Sequence, residues 1–162
     1  MRRLVVADTS PIRYLHLIEQ VLLLKDLFGS IYLPNEVQAE LCHASAPSEL
    51  RAWAASPPEW LIVVAAPVLS DPATASLHLG ERAALALADV LGADLMLIDE
   101  RKAARIASQK GFTVTGTLGV LDLASRRGLI ALGPAVERLR ATNFRYRPEL
   151  LEDLLARYRA GR

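Results

Sequence analysis

Four carboxylates stand where an ordinary soluble chain would not place them. Asp8 closes the apolar run Leu4 to Ala7, and Asp99 closes Leu95-Met96-Leu97-Ile98. Glu81 shares the spacing i, i+3, i+4, i+7 with Ala84, Leu85 and Ala88, which puts it on the core-facing stripe of a helix. Glu40 competes with Glu36 for the inward side of a fourth element. With Val37 and Leu41 as the buried stripe, Glu40 lies about 60° from Val37 and Glu36 about 100°, so Glu40 is expected inward and Glu36 solvated. Acids attached to apolar patterns are expensive unless they are paired or bind a cation. Two of them also have a local explanation: Asp8 before Ser-Pro reads as a helix cap, and Glu81 as a first-turn acid favoured by the helix dipole.

A pocket holding all four, with no matching set of basic residues, would repel itself by several kcal/mol. The physical remedy is a hard divalent cation. An all-oxygen donor set points to Mg²⁺ or Mn²⁺ rather than zinc, because Cys42 is the only cysteine and His16, His43 and His78 have no ligand spacing.

The elements that must deliver these acids alternate. Short apolar runs at Leu4 to Ala7, Ile31 to Leu33, Trp60 to Val64, Leu95 to Ile98 and Phe112 to Val114 read as strands. Helical patterns fall between them, at Ile12 to Phe28, from Pro34 through Glu40, at Glu49 to Ala55, at Glu81 to Leu91 and through Lys110. Three more helical segments close the chain, near Thr117 to Arg127, Pro134 to Ala141 and Pro148 to Tyr158. Strands apolar on both faces and separated by helices imply a parallel sheet covered on both sides. In such a sheet ligands bind at the carboxyl ends of the strands, where Asp8 and Asp99 sit.

Composition bounds the rest. With 162 residues, 52% hydrophobic and 23% charged, the chain is expected to form one unit over 1–162. Nineteen Lys plus Arg against eighteen Asp plus Glu give a net charge of +1, but the charges are segregated. From Arg126 onward there are nine Arg and four acids, so a basic helical region follows an acidic body. The apolar run after Met1-Arg2-Arg3 is too short for a secretory signal, and no stretch approaches the ~20 apolar residues of a membrane span. A cytoplasmic location without membrane attachment is the expectation, and a lone cysteine fits a reducing compartment.

The segments around the four acids resemble the PIN-domain family of metal-dependent ribonucleases, in particular its prokaryotic VapC-like branch. Val5-Val6-Ala7-Asp8-Thr9-Ser10-Pro11-Ile12 is similar to the family's opening strand and acid, and Leu33 to Leu41 to its second acidic helix. Leu79-Gly80-Glu81-Arg82-Ala83-Ala84-Leu85 resembles the third motif, although many relatives carry Asp where Glu81 stands. Leu97-Ile98-Asp99-Glu100-Arg101-Lys102-Ala103-Ala104-Arg105 resembles the fourth, and Val114 to Leu121 resembles the segment that follows it in one subgroup.

The resemblance implies a three-layer α/β domain with a central parallel sheet flanked by helices. It implies a catalytic and metal-binding tetrad at Asp8, Glu40, Glu81 and Asp99, RNA as substrate, and a small antitoxin as partner. Ser10 and Thr117 are expected to place hydroxyls at the rim of the site, with local capping as the alternative. Arg101, Lys102 and Arg105 are expected to meet RNA phosphates, or to form a solvated helix face. A homodimer is also expected. Leu15, Leu17, Ile18, Val21, Leu22, Leu23 and Leu24 are too many apolar residues for one stripe, so either some face outward as a docking patch or two short helices break near Glu19-Gln20. A haloacid-type phosphatase would need a second acid where Ser10 stands, and a non-catalytic RNA-binding or protein-interaction module of the same fold is the remaining rival.

Overall fold

The computed structural model describes residues 3–68 and 71–160, so the basic residues Arg2 and Arg162 counted above lie outside it. Five strands form one parallel sheet: β1 (Val5–Ala7), β2 (Ile31–Pro34), β3 (Leu61–Val64), β4 (Leu95–Leu97) and β5 (Val114–Thr115). Their spatial order is β3-β2-β1-β4-β5. The connecting helices are α1 (Thr9–Leu17), α2 (Leu22–Phe28), α3 (Asn35–Leu41), α4 (Ser48–Ala55), α5 (Leu79–Leu91) and α6 (Arg101–Gln109). After β5 come α7 (Thr117–Arg126), α8 (Leu132–Arg140) and α9 (Pro148–Ala160). The fifth strand begins two residues later than expected: Val114 pairs with Met96 and Thr115 with Leu97, and the carbonyls of Thr113 and Thr115 accept the amides of Met96 and Ile98, both at 2.9 Å. No helix among the described residues is long and apolar enough to cross a membrane.

Period-two alternation makes the three layers. Val5, Ala7, Leu95 and Leu97 enter one core with α1 to α4 and α7 to α9, while Val6, Met96 and Ile98 enter a second core with α5 and α6. Because both faces are covered, the strands are apolar at nearly every position, Thr115 at the end of edge strand β5 being polar. Each fully buried aliphatic side chain contributes about 1.5–3 kcal/mol. On α5, Ala84, Leu85 and Ala88 face the second core together with buried Glu81, as the spacing requires.

The run from Leu15 to Leu24 resolves as two helices. Glu19 adopts φ 61° between α1 and α2, and the amide of Gln20 closes the turn on the carbonyl of Leu15 at 2.7 Å. Leu15, Ile18, Val21, Leu23 and Leu24 are thereby buried, and Leu22 is left 61% exposed. Most of the apolar surplus is thus absorbed internally by the break at Glu19, with Leu22 exposed and Leu17 half-buried. A non-glycine residue in the left-handed region costs roughly 1–2 kcal/mol, against roughly 0.5–1 kcal/mol of chain entropy for glycine. Glu19→Gly is therefore expected to raise the melting temperature by one to a few degrees, a gain that thermal denaturation will register and that an unchanged or lower midpoint would contradict.

Candidate active site

The strand order places the topological switch between β1 and β4. From β1 the chain winds outward through β2 and β3, then returns to add β4 and β5 on the other side. Connections diverge at that point and open a crevice at the carboxyl ends. Asp8 stands directly on it, its amide bonded to the carbonyl of Leu97 at 2.9 Å. Asp8 begins α1 through its backbone, yet its side chain makes no capping bond, so the ordinary cap reading does not account for it. Its carboxyl is pushed up to about 7, first by burial and further by the charges of Glu81, Glu40 and Asp99, with the Thr9 amide pulling the other way.

Glu81 combines both of its expected roles. Its Oε1 accepts the amide of His78 at 3.0 Å in a capping box at the start of α5, and the side chain is buried on the inward face. Burial raises its pKa, the His78 amide opposes this, and the charges of Glu100 and Glu40 add to the rise. Glu40 reaches the same cleft from α3, but at its mouth: Glu40 is exposed and Glu36 half-buried, the reverse of the expected burial. The helical wheel ranked their angles correctly for the cleft and wrongly for solvent, because the cleft itself is open to water. Glu40 accepts the Thr9 hydroxyl and lies against Gly80, where an added Cβ would come within 2.5 Å of Oε1. Glycine at 80 lets the two helices bring Glu40 and Glu81 into one space.

Asp99 is held by α7. The amide and hydroxyl of Thr117 donate to its two oxygens at 2.6 and 2.7 Å, so the carboxylate satisfies an otherwise orphaned amide at the helix N-terminus. Burial raises the pKa of Asp99 and these two bonds hold it back. Gly116 permits the approach, since a Cβ there would stand 2.6 Å from Asp99 Oδ1. Thr117 is fully buried, which corrects its expected place at the rim: its hydroxyl serves Asp99 rather than solvent.

Asp8, Glu40 and Glu81 line a cleft of about 360 Å³ together with Ser10 and Glu100. Asp99 faces an adjoining groove of about 690 Å³, and Glu100 lines both. Arg101 borders the groove; Lys102 and Arg105 are exposed on α6 and border neither space. Among the described residues, none of the four acids has a Lys or Arg ion-pair partner. Nor do three or more His, Cys, Asp or Glu side chains among them converge closely enough to enclose an ion.

Residues 4–160 match the model of the DUF3368 family, a PIN domain. The chain belongs to the PIN-domain family. No curated protein matches it significantly. PIN domains are generally nucleases, and this PIN domain carries a carboxylate at the end of each strand flanking its switch point. The donor chemistry fits a divalent cation: hard oxygens, several of them buried, with raised pKa values at Asp8, Glu81 and Asp99 and no Lys or Arg ion-pair partner among the described residues.

Two further polar residues in the cleft escaped sequence reasoning. Glu100 caps α6, accepting the amides of Lys102 and Ala103 at 3.0 and 2.7 Å, and it also faces both cavities. Arg13 lines the acid cleft with its Nε buried and without a hydrogen-bond partner among the described residues. In sequence it is one more helical arginine, and nothing local marks it.

Proposed function

We propose that this PIN domain is a metal-dependent ribonuclease that hydrolyses RNA phosphodiester bonds, and that it acts as the toxin of a toxin–antitoxin pair. The observation that carries the catalytic reading is the placement of Asp8 and Asp99 after adjacent parallel strands, with Glu40 and Glu81 entering beside Asp8 and no basic partner for any of them among the described residues. Asp8 and Asp99 would hold Mg²⁺ or Mn²⁺, with Glu40 and Glu81 completing the shell directly or through water. A bound cation there supplies a water that is nucleophilic at neutral pH and neutralises charge on the leaving oxygen. Thr117 fixes the direction of the Asp99 carboxylate, and the His78 amide fixes that of Glu81. Glu40, exposed and hydrogen-bonded to Thr9, would orient the attacking water and accept its proton. Ser10 and Arg13 border the cleft where a scissile phosphate would lie.

The toxin role, a small antitoxin whose segment occludes the cleft, and a homodimer are supported by the resemblance to the VapC-like branch alone. One observation favours the rival, a non-catalytic RNA-binding module: the carboxylates do not converge on a common point. Incubating end-labelled RNA with the protein in Mg²⁺, Mn²⁺ or a chelator decides between them. Cleavage with either cation and none in chelator is expected, whereas binding without cleavage under every condition would establish the rival. Induced expression should arrest growth, and unimpaired growth would remove the toxin role.

A further inference from the structure

The groove beside the acid cleft has a far wall that the acids do not reach. Asp99 and Glu100 mark its border with the cleft, and the segment joining α8 to α9 forms the opposite side with Phe144, Arg145, Tyr146 and Arg147. Arg157 on α9 and Arg101 on α6 also face the space. Among the described residues none of these four arginines has an ion-pair partner, while Asp122, the other acid on the groove, is held by Arg126 at 3.2 Å. Arginines kept around a concave surface without counter-ions favour a polyanionic occupant.

The aromatic residues specify which polyanion. Phe144 and Tyr146 lie nearly parallel, 17° apart with centroids at 6.4 Å, and both rings are half-buried. Phe144 is set edge-on against Tyr14 at 5.0 Å, and the Tyr14 hydroxyl donates to Asn143 at 2.9 Å. Tyr14 and Asn143 line the acid cleft, so the aromatic wall is fastened to the same residues that border the carboxylates. Arginines interleaved with rings in the order Phe-Arg-Tyr-Arg offer alternating grips for a charged backbone and flat apolar groups. An acidic peptide would satisfy the arginines but leave the rings without planar partners, and a duplex keeps its bases stacked on one another.

We infer that this groove is the binding track for an unpaired RNA segment, with Tyr146 as a base-stacking platform and Arg145, Arg147 and Arg157 gripping phosphates that lead the strand toward Asp99. The inference rests on the nuclease reading only for that direction, and binding can be measured without cleavage. Fluorescence anisotropy of a labelled twelve-nucleotide RNA, with Asp99→Asn protein in chelator, provides the parent affinity. Arg145→Glu with Arg147→Glu is expected to weaken binding at least tenfold and to flatten the dependence of log K on log salt by about 0.7 for each phosphate no longer neutralised. Tyr146→Ala is expected to weaken binding about fivefold or more with the salt slope unchanged. Lys25→Glu, exposed on α2 and off the groove, should bind like the parent, and the same RNA in a duplex at least tenfold more weakly.

Groove variants that all bind within twofold of the parent would overturn the assignment, as would a duplex or a poly-glutamate peptide that binds more tightly than the single strand. Loss of binding in the groove variants, with no cleavage by wild type in Mn²⁺, would remove the nuclease reading and leave the track established.

Discussion

Asp99→Asn is expected to lower metal-dependent RNA cleavage by about 10²–10³-fold while leaving the fold intact, the magnitude typical of removing one preorganised electrostatic interaction at a reacting centre. The geometry explains why the loss would be chemical. Thr117 donates its amide to one Asp99 oxygen at 2.6 Å and its hydroxyl to the other at 2.7 Å. An asparagine keeps the first acceptor, and its amide group can donate to Thr117 once the hydroxyl rotates. The side chain therefore stays in place and only the charge goes. Because burial already disfavours the ionised form of Asp99, the neutral variant should melt no lower than wild type. Initial cleavage rates in Mn²⁺, read beside circular dichroism, test this; a well-folded variant retaining a tenth or more of the wild-type rate would remove Asp99 from the chemistry.

Asp8→Asn should make the metal-free protein more stable above neutral pH. Asp8 titrates at about 7 when folded, against an ordinary value of 3.8. Between those values the folded state binds the proton that the unfolded state has released, so the wild type loses stability as pH rises from about 4 to about 7, and the full penalty remains at higher pH. That penalty is on the order of a few kcal/mol, which corresponds to several degrees in melting temperature for a chain of this size. Asparagine removes the ionisation and its repulsion with Glu81, Glu40 and Asp99.

The same carboxylate should be the route to stabilisation by cations. Millimolar Mn²⁺ is expected to raise the wild-type midpoint at about pH 8 and to raise that of Asp8→Asn much less, since a ligand bound only by the folded state stabilises by mass action. The decisive comparison is thermal melting near pH 5 and near pH 8, with and without Mn²⁺. A variant melting at or below wild type in chelator at the higher pH would refute the repulsion, and a wild-type midpoint indifferent to Mn²⁺ would refute the site.

What could be read from the sequence is what depends on periodicity and local chemistry. Apolar runs that end in Asp8 and Asp99 identify parallel strands with acids at their carboxyl ends. The spacing of Glu81, Ala84, Leu85 and Ala88 identifies an inward acid, and both follow from which face of an element must leave water. The sequence also shows an apolar excess between Leu15 and Leu24, but the choice between an outward patch and a break at Glu19 depends on whether a core lies ready to take both helices. Only the tertiary structure settles that.

It also decides the contacts between distant segments. Thr117 anchors Asp99 across eighteen residues, and Gly80 makes room for Glu40 across forty. Glu40 rather than Glu36 enters the cleft because α3 packs its end against α5, a relation no wheel contains. The wall of Phe144 to Arg147 stands beside Asp99 because Tyr14, near the other end of the chain, holds it there. Local patterns fix which side of each element is buried. Which buried sides meet, and which polar groups are left facing the same space, is set by packing all the elements at once.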